Sequence, residues 1–227
     1  TADGGDFEDT VGVTLIEDDG TIGTAHGPVA FGPNAALLLG PGADGIFQTA
    51  DDVLRVVENV GVGAPVVTNV VVGAVTPGPH ALPVLTGVGD AVLVLTDGPD
   101  LTLGTLDDTL VQVEDILTTP VVTASIAVGR MESSEARRPV MVGTRAVIAM
   151  RGADLLTSGD DQLVVVDGIG SAVLTTTTIA TPGLAFEAPS IPGVLDATAL
   201  LLHDCGVDFV FGSDDDNLVL VTGIDAV

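Results

Sequence analysis

Gly42-Ala43-Asp44-Gly45-Ile46-Phe47-Gln48-Thr49-Ala50-Asp51-Asp52 decides the fold, because its pattern occurs four times along the chain. The pattern is a G-x-D followed six or seven residues later by an adjacent pair of aspartates. It recurs as Gly98-Pro99-Asp100 with Asp107-Asp108, as Gly152-Ala153-Asp154 with Asp160-Asp161, and as Gly206-Val207-Asp208 with Asp215-Asp216. The second aspartate of each pair stands at 52, 108, 161 and 216, giving spacings of 56, 53 and 55 residues. Self-similarity at so regular a period is the signature of a repeat architecture.

The surroundings of each anchor repeat as well. A leucine follows two residues after the pair (Leu54, Leu110, Leu163, Leu218), inside Val-rich runs such as Leu163-Val164-Val165-Val166. A second apolar run comes next, then a shorter one near a proline (Pro83-Val84-Leu85, Pro139-Val140-Met141), then a fourth leading into the next G-x-D. Short Val-rich runs bounded by Gly, Pro and Asp are strands. Several are apolar on both faces, as in sheets covered on both sides. The units read as 42–97, 98–151 and 152–204, with 205–227 and 1–41 together completing a fourth.

Four short strands per repeat and staggered chain ends resemble the β-propeller class. The resemblance is one of architecture and lacks the Gly-His and Trp-Asp signature of WD40 repeats. It implies an all-β protein, a small β-propeller of about four four-stranded blades, its ring closed by pairing of the N- and C-terminal segments, which would remove exposed sheet edges. It also implies that each acidic loop joins the outer strand of one blade to the inner strand of the next. Thr1-Ala2-Asp3 copies Thr49-Ala50-Asp51, as expected if the chain is excised from a longer array.

Composition narrows the partners. Among 227 residues there are 32 acids, 25 of them aspartate, against six arginines and no lysine, for a net charge of −26. Such a surface argues against nucleic acid and anionic membranes, which require basic partners. Residence in high salt, where surface repulsion is screened, is one cause of this balance, and a halophilic source fits it. Bound cations are another. No apolar run approaches the ~20 residues needed to span a bilayer.

The anchor loops are the candidate metal site: Asp44, Asp51, Asp52, Asp100, Asp107, Asp108, Asp154, Asp160, Asp161, Asp208, Asp215 and Asp216. Oxygen-only ligands without His or Cys point to Ca2+ over Zn2+. The spacing is neither that of an EF-hand nor of the nonapeptide calcium repeat. The competing reading is turn chemistry, since an aspartate side chain accepts hydrogen bonds from nearby backbone N–H groups and fixes the turn without a metal.

One unit departs from the rest. Five of the six arginines (130, 137, 138, 145 and 151) and all three methionines fall between positions 130 and 151. Arg and Met are enriched at interfaces, so Arg130, Arg137 and Arg138 are candidates for binding an acidic partner, another copy of the chain included. Neutralisation of local acids is the plainer alternative.

Enzyme signatures are few. His26, His80 and His203 occupy non-equivalent places in their units, and Cys205 lacks neighbours that would activate it, so it reads as a small buried residue. There is no phosphate loop or nucleophile elbow. The reading is therefore a non-catalytic, extracellular or surface-displayed module, structural or protein-binding, whose acidic loops are candidate calcium ligands. The alternative is a propeller-fold hydrolase acting on a polysaccharide or small ester, which needs only two carboxylates. Two features oppose it: acids repeated in every unit do not make one unlike pair, and no Trp or Tyr is present to stack sugar rings.

Overall fold

The computed structural model describes residues 28–78, 81–130, 138–150, 158–186, 192–210 and 212–224. Within them the Val-rich runs form strands and no α-helix occurs. The first sheet comprises β1 (Val29–Phe31), β2 (Ala35–Gly40), β3 (Val53–Glu58) and β4 (Val66–Val71). The second comprises β5 (Val84–Leu85), β6 (Val92–Thr96), β7 (Thr109–Glu114) and β8 (Val121–Ala127). The third is β9 (Val140–Val142), β10 (Arg145–Met150), β11 (Gln162–Asp167) and β12 (Thr175–Ala180), and the fourth β13 (Gly193–Val194), β14 (Ala199–Asp204) and β15 (Asn217–Thr222). Each is an antiparallel meander with strands in chain order.

This pairing moves the repeat boundary. β2 pairs with β3, β6 with β7, β10 with β11 and β14 with β15. Every acidic loop therefore lies inside a sheet, joining its second and third strands, and not between sheets as the spacing of the runs suggested. A periodic sequence can be cut at any phase, and strand pairing alone selects one.

The sheets stack face to face through three apolar layers. Leu37, Leu39, Leu54 and Val56 of the first sheet pack with Val92, Val94, Val111 and Val113 of the second. The other face of the second, with Leu93, Leu95 and Leu110, packs with Ala146, Ile148, Val164 and Val166 of the third. The third presents Val147, Ala149, Leu163 and Val165 to Leu200 and Leu202 of the fourth. Both faces of the middle sheets are thus buried, which is why β6, β10 and β11 read as continuous apolar runs rather than alternating ones. Each fully buried Leu or Val contributes about 1.5–3 kcal/mol.

Gln112 is a polar residue within this core and is satisfied there. It is buried between the second and third sheets; its amide donates to the Ser171 carbonyl at 2.9 Å and to Thr123 Oγ1 at 3.0 Å, and its oxygen accepts the Gly170 N–H at 2.9 Å.

No closed barrel or ring is formed by the described residues. No core layer there joins the fourth sheet to the first, and the outward face of β15 lies open to solvent.

Candidate functional site

The three loops described almost throughout (41–52, 97–108 and 205–216, without residue 211) share one wiring. The first aspartate of the pair accepts the backbone N–H groups of the G-x-D segment. Asp51 Oδ2 accepts from Ala43 at 2.8 Å and Asp44 at 3.3 Å, and Asp215 Oδ2 from Val207 at 2.7 Å and Asp208 at 3.3 Å. In the second loop Pro99 stands where those loops have Ala43 and Val207. It has no N–H, so Asp107 Oδ2 accepts from Asp100 at 3.1 Å.

Its other oxygen takes a hydroxyl two residues upstream. The donors are Thr49 to Asp51 at 2.7 Å, Thr105 to Asp107 at 2.5 Å, Ser158 to Asp160 at 2.5 Å and Ser213 to Asp215 at 2.5 Å. The repeat motif is thus [ST]-x-D-D in all four units. The sequence reading passed over this hydroxyl, although it was there to be read.

These bonds stabilise the ionised carboxylate. Hydroxyl donation from Thr49, helped by the Ala43 and Asp44 N–H groups, holds Asp51 below the usual carboxylate range. Thr105 with the Asp100 N–H does the same for Asp107, and Ser213 with the Val207 N–H for Asp215.

The leading glycine is a steric requirement. Gly98 has φ +70°, and a Cβ there would lie 2.0 Å from the carbonyl oxygen of Asp107; at Gly42 a Cβ would meet the Asp51 carbonyl oxygen at the same distance. Asp44, Asp100 and Asp208 each cap the turn that follows, Oδ1 accepting the N–H two residues on at 2.8–2.9 Å.

The second aspartate works at longer range. Asp52, Asp108 and Asp161 are buried. Each second aspartate of the three well-described loops accepts an N–H four residues back: Gln48 to Asp52, Gly104 to Asp108, Gly212 to Asp216. Asp52 Oδ2 also accepts the N–H of Val75, in the linker leaving the first sheet, at 2.7 Å. Asp161 holds the equivalent linker of the third sheet through the Phe186 N–H. Burial pushes Asp52 up despite its N–H donors.

Two aspartates outside the repeated pairs grip those linkers from the other side, and sequence reasoning did not single them out. Asp97, at the end of β6, accepts the Thr76 N–H at 3.0 Å and the Thr76 hydroxyl at 2.9 Å. Asp204, at the end of β14, accepts the Ala185 N–H at 2.9 Å. Burial raises Asp97 above the usual range, outweighing the bonds from Thr76. The trace in sequence is slight: Asp97 directly precedes the G-x-D glycine of its unit, and Asp204 stands two residues before Gly206.

Asp154 and Arg137 lie outside the described residues, as do His26 and His80. Among the described residues, no group of three or more His, Cys, Asp or Glu side chains is arranged to hold a metal ion. Cys205 is buried, and His203 Nε2 sits 3.2 Å from Asp216 Oδ2. Of the five arginines between 130 and 151, Arg130, Arg138 and Arg145 lie among the described residues. Arg130 lines a hollow of about 420 Å3 with Met150, Gln162, Thr176 and Thr178. Arg138 is half-buried, its Nε without a hydrogen-bond partner among the described residues. Arg145 is turned inward, pairing with Asp167 and donating to the Ile224 carbonyl, so it ties the third sheet to the end of the fourth.

A second hollow, of about 280 Å3, gathers Asp90, Glu114 and Asp115 beside Gly170. Asp90 is engaged there, accepting the Asp115 N–H at 3.1 Å. Compared with protein-family models, with curated proteins and with solved structures, the chain matches none.

Proposed function

We propose that this chain is a non-catalytic repeat module with a structural or protein-binding role, displayed outside the cell. The observation that carries this reading is the sameness of the acidic loops. The [ST]-x-D-D hydroxyl bond occurs in all four, and the N–H bonds to both aspartates recur in the three described almost throughout. Catalysis by carboxylates needs one unlike pair with separated proton affinities, whereas here like residues do like work in successive sheets. The loop carboxylates are spent first on turns and linkers.

Calcium binding, expected from loops with oxygen ligands only, belongs to the same reading and would use the carboxylate oxygens those bonds leave over. Thermal melting in EDTA, in Ca2+ and in NaCl of matched ionic strength tests it; a rise in Tm with Ca2+ no greater than with NaCl removes calcium from the reading. A closed four-bladed propeller is the ring form of this module and requires the outward face of the fourth sheet to be covered. The module reading itself fails if a panel of glycoside and ester substrates reveals turnover that is lost on changing Asp90 or Glu114.

A further inference from the structure

The hollow of about 420 Å3 that holds Arg130 lies between the second and third sheets. Gln162, Val164 and Val166 alternate along one face of β11. Register sets Val164 opposite Thr178 and Val166 opposite Thr176, so the two threonines extend that face onto β12. The valines are buried against the second sheet, whereas both threonines are exposed. From the side of the second sheet, Gly129 at φ +94° turns the chain leaving β8, and Arg130 follows it. Val128, Met150 and Val164, all buried, make the apolar floor.

We propose that this hollow binds a small organic acid, its carboxylate held by Arg130 and its apolar body resting on the floor. The polar side chains that line it are unengaged: among the described residues, those of Arg130, Gln162, Thr176 and Thr178 make no hydrogen bond or ion pair. The loop aspartates are the opposite case, each spent on N–H groups and hydroxyls of its own chain. No carboxylate lines the hollow, in a chain with 32 acids and six arginines. An arginine left over beside three neutral hydrogen-bonding groups is a place prepared for an anion from outside.

Size, charge and lining select the ligand class. Pockets for small molecules run from about 300 to 1,000 Å3, so this one takes a compact molecule. A guanidinium meets a carboxylate through two parallel N–H bonds, and the neighbouring hydroxyls and amide can donate to the remaining lone pairs. One cation balances one negative charge. A dianion such as phosphate would keep a charge unmatched and would feel the repulsion of a chain of net charge −26 more strongly. The apolar floor favours an acid with a hydrocarbon body over acetate. The proposal goes beyond the module reading and does not rest on it, because a structural module and an enzyme could each carry such a site.

Titration of the 227-residue chain with benzoate tests it, followed by NMR of 13C-labelled methionine methyls at about 0.15 M salt, where distant surface acids are screened. The Met150 methyl, assigned through Met150→Leu, should shift saturably. Benzamide keeps the ring and lacks the charge, and acetate keeps the charge and lacks the ring; each should bind roughly tenfold or more weaker than benzoate. Inorganic phosphate should give no saturable shift. Arg130→Gln should weaken benzoate by roughly tenfold or more while its thermal melt matches wild type, since Arg130 holds no partner in the fold. The three comparison ligands use the wild-type chain, so they decide the matter whatever the variant does. The proposal is overturned if Met150 shows no saturable shift up to about 10 mM benzoate. It is overturned equally if benzamide, acetate or phosphate binds as tightly as benzoate, or if folded Arg130→Gln binds benzoate like wild type.

Discussion

Asp52 and Asp97 hold adjacent residues of one linker from two different sheets. Asp52, at the edge of the first sheet, accepts the Val75 N–H at 2.7 Å, and Asp97, in the second, accepts the Thr76 N–H at 3.0 Å. Asp161 and Asp204 repeat the arrangement at Phe186 and Ala185, between the third and fourth sheets. A buried linker must have its N–H groups paired, and a carboxylate on each side both satisfies them and fixes how one sheet follows the next.

Removing one side of that grip should cost more than neutralising it. Asp52→Ala leaves the buried Val75 N–H unpaired and should destabilise the fold by roughly 2–4 kcal/mol. Asp52→Asn keeps an acceptor oxygen and sheds the burial cost of the charge, so its loss should be clearly smaller. Urea denaturation of the two variants checks the order; equal losses would mean that the Val75 bond contributes little.

The two kinds of aspartate should respond to acid with opposite signs. Asp51, Asp107 and Asp215 are held below the usual range, so their contribution is present at neutral pH and is lost as pH falls through their folded-state values. Asp52 and Asp97 are raised by burial, so protonation favours the folded form, and their contribution is present at low pH and lost as pH rises through their folded-state values. The stability gap between wild type and Asp107→Ala should therefore shrink as pH falls below the ordinary carboxylate range. For Asp97→Asn any advantage over wild type should shrink in the same direction, because wild-type Asp97 becomes neutral too. Denaturation at fixed high salt across pH measures both.

Backbone strain offers a gain and a loss in one loop. Leu101 has φ +60°, a left-handed conformation that the first loop gives to Gly45 at φ +72°. Leu101→Gly should stabilise the protein by about 0.5–1 kcal/mol, the relief exceeding the entropy glycine adds to the unfolded chain. Gly98→Ala places a methyl against the Asp107 carbonyl oxygen and should cost more than about 3 kcal/mol. Thermal melts that fail to move in opposite directions would contradict this geometry.

Arg145 should prove a structural residue and not a contact for outside partners. Its guanidinium joins Asp167 to the Ile224 carbonyl, so Arg145→Ala should lose roughly 1–3 kcal/mol. Arg145→Lys should not restore it, because an ammonium cannot reproduce the two directed N–H bonds. Hydrogen exchange at 217–224 should quicken in both variants.

Much of this was legible because it is local. The G-x-D glycine, its aspartate cap and the first aspartate of the pair meet within one loop, and residue type alone prescribes those bonds. The hydroxyl of Thr49, Thr105, Ser158 and Ser213 was equally local and could have been found by aligning the four loops. The role of Arg145 was not local: its partners Asp167 and the Ile224 carbonyl lie 22 and 79 residues away, so adjacency to the other arginines gave no sign of it.

By itself the sequence determined the repeat, the strand-forming runs and the turn chemistry that separates them, because each depends on residue type over a few neighbours. Only the tertiary structure decided that the acidic loops lie within sheets, that Asp52 reaches Val75 across 23 residues, and that Leu218 faces solvent while Leu54, Leu110 and Leu163 do not. The reason is that copies of a repeat are chemically alike, and what differs among them is which neighbour each one packs against.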